Sequence, residues 1–153
     1  MHLTLNKLLL LLLGAGIATT ASADLDPFTT DGCSAFPDGT SEQQQLWHNC
    51  CVAHDLAYWQ GGSREDRKEA DQALEDCVAN VGEPMIANLM LAGVTVGGTP
   101  YLPTRFRWGY GWPYLRGYKV LSVEEVEEVR KMSADALKTV QDHAVGENAS
   151  QPR

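Results

Sequence analysis

The chain has 153 residues, with 12 Lys and Arg against 20 Asp and Glu, for a formal charge of −8. Such an acidic balance argues against nucleic acid as a partner and mildly favours a cation. Once an N-terminal leader is set aside, the length suits a single domain with a modest core, and the four cysteines suit a small stapled fold.

Residues 1–23 read as an export signal. Lys7 precedes an apolar run from Leu8 to Ile17, and Ala21-Ser22-Ala23 supplies small residues for cleavage. The run is too short for an ordinary membrane span, and no lipobox cysteine follows it. A domain over residues 24–145 and a disordered tail over 146–153 are expected, in a secreted or periplasmic protein. Export also favours two disulfides over a zinc site built from Cys50, Cys51, His54 and Cys77.

Residues 24–40 are turn-rich, marked by Pro27, Gly32, Pro37, Asp38 and Gly39. Within them, the 31–39 loop around Cys33 has carbonyls that can converge on a hard cation, although the same residues also suit an ordinary stapled surface loop. Ser41 followed by Gln44 matches a capping box, so a first helix is expected from there to about Gln60. Gly61-Gly62 ends it, and Ser63 with Asp66 opens a second helix running to about residues 80–82.

On the first helix Cys50, His54 and Tyr58 recur every four residues and share a face, with Cys51 and Asp55 one step round. A connection this short makes the two helices antiparallel. Cys50 and Cys77 then lie at closely matching distances either side of Gly62, as do His54 and Asp71. This register predicts a Cys50–Cys77 disulfide, leaves Cys51 for Cys33, and makes Asp71 the acid best placed to reach His54. A His held by a carboxylate is a poised general base, and Asp55 with loop carbonyls is an oxygen-only site suited to Ca2+. Such parts fit hydrolysis by an activated water.

Pro84 opens an apolar third helix, too short to cross a bilayer, that stops at the glycines at 97 and 98. In the following stretch Phe106, Trp108, Tyr110, Trp112 and Tyr114 alternate at spacing two with Arg105, Arg107, Arg116 and Lys119 nearby. Alternation predicts an extended segment with its rings on one side. Phe106, Trp108, Tyr110 and Trp112 are then a candidate surface for a phospholipid membrane, with a packed aromatic flap as the alternative. Ser122 with Glu125 caps an amphipathic last helix to about Ala144.

Cys50-Cys51-Val52-Ala53-His54-Asp55-Leu56-Ala57-Tyr58 resembles the Cys-Cys-x-x-His-Asp-x-x-Tyr signature of secreted phospholipases A2. The resemblance spans roughly residues 31–80. It implies a mostly α fold in which a calcium loop precedes a disulfide-linked antiparallel helix pair and further helices follow. It also implies Ca2+-dependent hydrolysis of the sn-2 ester of glycerophospholipids, with His54 as base and Tyr58 and Asp71 as its support. Asp55 and the carbonyls of Gly32, Ser34 and Phe36 would hold calcium, and Asp38 offers one further oxygen. The loop lacks the Gly-rich pattern of the animal enzymes, and Ala57 stands where they usually carry a cysteine, which places the likeness nearer the minimal microbial or plant-type members. The alternative reading is a non-catalytic module of the same fold that binds a membrane or a protein.

Overall fold

The computed structural model describes residues 25–149, with side chains described through residue 136. The expected export signal lies outside these residues. Among them there are four helices and no strand: α1 (His48–Gln60), α2 (Arg64–Asn80), α3 (Pro84–Gly97) and α4 (Val123–Ala149). The protein is mostly α-helical with two disulfides, and no helix among the described residues is long and apolar enough to cross a membrane.

Helix α1 starts seven residues later than the Ser41 signal predicts. The expected capping box is replaced by turns, in which the Thr40 hydroxyl accepts from Gln43 N at 3.0 Å and Trp47 N donates to the Asp38 carbonyl at 3.0 Å. Burial decides the start. Trp47 is 3% exposed and its indole N–H donates to the Pro37 carbonyl at 2.6 Å, so the loop before it must wrap round the ring instead of extending the helix.

Between α1 and α2 the chain turns through Gly61 and Gly62, both at positive φ (66° and 142°), a conformation that disfavours side chains with a Cβ. The predicted capping box then forms at α2, with Ser63 Oγ accepting from Asp66 N at 3.1 Å and Ser63 N donating to the Asp66 carboxylate at 2.7 Å. Both disulfides follow the register argument, Cys50 to Cys77 and Cys33 to Cys51. Helix α3 lies along α2. Trp47, Leu74, Val78, Ala87 and Met90 close round the cysteines as the main core, each large apolar side chain contributing about 1.5–3 kcal/mol.

The aromatic stretch is not extended. Gly109, Leu115 and Gly117 all have positive φ, which curls residues 106–117 into consecutive turns. Its partner is the C-terminal end of α1 and the turn that follows, where the backbone carbonyls lack a full set of intrahelical donors. Gly109 N donates to the Tyr58 carbonyl at 2.7 Å, Gly111 N to Trp59 at 3.2 Å, the Trp112 indole to Gln60 at 2.8 Å and the Trp108 indole to Gly62 at 3.0 Å. Trp108 and Trp112 are each 2% exposed, so the expected four-ring surface is not formed. Phe106 remains exposed, while Tyr110 is half-buried and donates to the Thr29 carbonyl at 2.6 Å.

Helix α4 opens with the predicted capping box between Ser122 and Glu125 and continues past Ala144 to Ala149. Its Val129 and Met132 join a second cluster with Leu25, Phe28, Trp59 and Trp112. Among the described residues the extensive helix-to-helix contacts are α1 with α2 and α2 with α3, and α4 meets α1 through the Val129–Trp59 cluster. Residues 146–149 of the expected tail continue α4, and residues 150–153 lie outside those described.

Candidate functional site

The antiparallel pairing of α1 and α2 brings the His54 imidazole to the Asp71 carboxylate, Nε2 to Oδ1 at 3.1 Å, with both side chains buried. One turn further along α1, the Tyr58 hydroxyl donates to the same Oδ1 at 2.6 Å, and its ring lies 4.2 Å from the His54 ring, centroid to centroid. With Asp71 accepting from Nε2, His54 Nδ1 keeps its lone pair. Burial pushes the Tyr58 phenol far above its ordinary range, so it stays protonated and remains a donor.

A third support was not singled out from the sequence. Arg67 lies one turn before Asp71 on α2, with its NH2 3.6 Å from Asp71 Oδ2. Its Nε donates to the Tyr58 hydroxyl at 3.1 Å, NH2 to the Val94 and Thr95 carbonyls, and NH1 to the Tyr118 hydroxyl at 2.8 Å. The guanidinium thus offsets the buried Asp71 charge and ties both helices to the end of α3. The four-residue spacing of Arg67 and Asp71 is the signal that marks it.

His54, Asp55 and Tyr58 line a cavity of about 410 Å³, within the range of small-ligand sites. Its other walls are the 32–36 loop, Leu74 of α2, Phe106 and the α3 face carrying Leu89, Met90, Gly93 and Val94. This lining is strongly apolar except at the His54–Asp55 end. Gly98, the residue capping α3, matters here because a Cβ on it would overlap the Tyr58 hydroxyl.

Asp55 points to the loop side of α1. Its Oδ2 accepts from the Thr30 hydroxyl at 2.6 Å, and that oxygen in turn accepts from Gly32 N at 3.1 Å. Burial pushes the Asp55 carboxyl up to about 6, with the nearby Asp31 adding to the effect and Thr30 and His54 opposing it. A carboxylate so disfavoured by desolvation gains from a cation beside it. The Cys33–Cys51 disulfide pins the loop here, so Gly32, Ser34 and Phe36 border the same cavity. Among the described residues, no hydrogen bond occupies the carbonyls of these three, whereas the Cys33 carbonyl accepts from Phe36 N at 3.0 Å. Oxygen donors of this kind fit calcium.

Cys33, Asp38 and Cys51 also converge, but their sulfurs are joined to each other and are not available as thiolate ligands. Asp38 serves the loop itself, accepting from Cys33 N at 2.8 Å and lying 3.3 Å from His48 Nδ1. Compared with protein-family models, with curated proteins and with solved structures, the chain matches none.

Proposed function

We propose that the protein is a phospholipase A2-type hydrolase that cleaves the sn-2 ester of glycerophospholipids with calcium. The observation that carries this reading is the His54–Asp71–Tyr58 cluster at the polar end of an otherwise apolar cavity. A buried His–carboxylate pair suits proton transfer, and an apolar slot suits an acyl chain.

On this reading His54 Nδ1 takes a proton from a water held in the cavity mouth, and the water oxygen adds to the ester carbonyl. Asp71 stabilises the imidazolium that forms and keeps the ring aimed, without itself taking the proton. Tyr58 and Arg67 keep Asp71 from turning away. His54 then returns the proton to the departing glycerol oxygen as the carbonyl bond reforms. The Asp55 carboxylate and the carbonyls of Gly32, Ser34 and Phe36 would hold calcium, which when bound supplies positive charge for the oxyanion. The apolar wall from α3 and Phe106 receives the acyl chain and keeps bulk water from the ester.

Disulfides and the expected signal fit a secreted or periplasmic protein acting at a phospholipid surface. Fatty-acid release from mixed phospholipid vesicles, with and without a chelator, tests the reading. The wild type releases fatty acid only with calcium, and His54→Gln retains the fold but loses about 10²–10⁴-fold in rate. Vesicle binding with no turnover in the wild type would leave the non-catalytic module instead.

A further inference from the structure

On the other side of α3 a second groove, of about 480 Å³, opens between α2, the end of α3 and Tyr118. Its polar lining includes Arg64, Arg67, Lys68, Asp71, Thr95 and Tyr118. Three cations in one groove are unexpected in a chain whose acids outnumber its bases by 20 to 12. Arg64 and Lys68 are exposed, one turn apart on α2, and neither is ion-paired with an acid among the described residues. Among the described lining residues the one acid is Asp71, and it is committed to His54, Tyr58 and Arg67, while Glu75 and Asp76 meet the groove only at its Gln72 edge, where both accept from the Gln72 amide. Local charge at the Arg64–Lys68 end of the groove is therefore positive.

We infer that this groove is a binding site for a phosphate group, separate from the cavity that holds His54. The Arg64 guanidinium lies 5.2 Å from the centre of the Tyr118 ring, which keeps that side chain over the groove. An arginine fork matches phosphate oxygens in pairs, and a lysine ammonium one turn away adds a point charge. The Tyr118 and Thr95 hydroxyls supply neutral donors to complete the shell. Because Arg67 forms the floor and also bonds Tyr58, an anion held here sits one side chain away from the His54 support.

Calorimetric titration of the calcium-free protein with inorganic phosphate, at constant ionic strength, tests the inference. Saturable one-site binding is expected, weakened about tenfold or more in the Arg64→Gln, Lys68→Gln double variant. Both side chains are exposed and only the Arg64–Tyr118 ring contact is lost, so the melting temperature without phosphate should fall by no more than about a few degrees. No saturable heat, or equal affinity in wild type and double variant, overturns the site. Sedimentation with phosphatidylcholine vesicles, with or without phosphatidic acid, separates the two sources of phosphate. Retention on phosphatidic acid that inorganic phosphate displaces assigns a lipid headgroup, and phosphate binding without such retention assigns free phosphate. Neither arm depends on ester hydrolysis, so the site can fail while the hydrolase reading stands, and the reverse.

Discussion

Tyr58 donates its hydroxyl proton to Asp71 Oδ1 at 2.6 Å, the same oxygen that lies 3.1 Å from His54 Nε2. One carboxylate oxygen therefore serves the base and its neighbour one turn away. Tyr58→Phe removes that donor but keeps the ring packed on His54 and Trp108. The expected loss is roughly 1.5–3 kcal/mol in urea unfolding, because the acceptor is charged and buried. The rate of fatty-acid release should fall about tenfold while vesicle binding is unchanged. A wild-type rate in the variant would remove Tyr58 from the proposed machinery.

Arg67 is the residue on which Asp71 depends for charge balance. Arg67→Met leaves a buried carboxylate with hydrogen bonds but no guanidinium, and unfolding in urea should show a loss of about 3–5 kcal/mol. Arg67→Lys keeps a charge without the fork and should recover only part of it. In the Arg67→Met, Asp71→Leu double variant the stability loss should shrink although the hydrolytic rate does not return. Additive losses in that cycle would show that the two side chains do not interact.

The two disulfides should separate by function. Replacing Cys33 and Cys51 with Ser frees the loop beside Asp55, costing about 3 kcal/mol for a closure of this length and weakening calcium binding. Replacing Cys50 and Cys77 should cost a comparable amount while calcium affinity survives in the folded fraction. Calcium calorimetry on both pairs checks this, and an identical affinity loss in each would count against a loop-specific role.

Glu125 gives a pH signature away from the candidate site. The Arg116 guanidinium, bonded through both carboxylate oxygens and helped by Lys119, holds its carboxyl down to about 2. A depressed carboxyl stabilises the fold above its unfolded value near 4.3, and that contribution fades as the pH falls towards 2. Glu125→Gln should therefore cost on the order of 1–2 kcal/mol at pH 7, allowing for the half-exposed Lys119, and almost nothing near pH 2. A gap between wild type and variant that stays constant across this range would rule out the charged clamp as its origin.

Much of the candidate site was legible because it depends on helical periodicity and one short connection. Cys50, His54 and Tyr58 recur every turn, and Gly61-Gly62 fixes where the chain reverses, so Cys77 and Asp71 follow from counting alone. Capping boxes were legible where nothing larger competed, as at Ser63 and Ser122. At Ser41 the same signal lost to the burial of Trp47, whose ring needs the Pro37 carbonyl. The aromatic stretch departs from its alternation pattern for a related reason. Alternation assumes an extended chain, whereas Trp112 and Trp108 are placed by the carbonyls of Gln60 at the end of α1 and of Gly62 in the turn after it, a demand that arises only once the hairpin exists. Thr30 and its bond to Asp55 carry no periodic signal, because the loop path that joins them is set by the Cys33–Cys51 closure.

The link from Cys50 to Cys77 encloses the Gly61-Gly62 turn in a covalent ring. A single peptide-bond break within that turn would leave His54 on one fragment and Asp71 on the other, yet the fragments would stay tethered next to the junction where the two side chains meet. Their encounter would remain intramolecular, at an effective concentration set by the disulfide and independent of dilution. Tolerance of a nick at this point is thus built into the connectivity, and it disappears under reducing conditions.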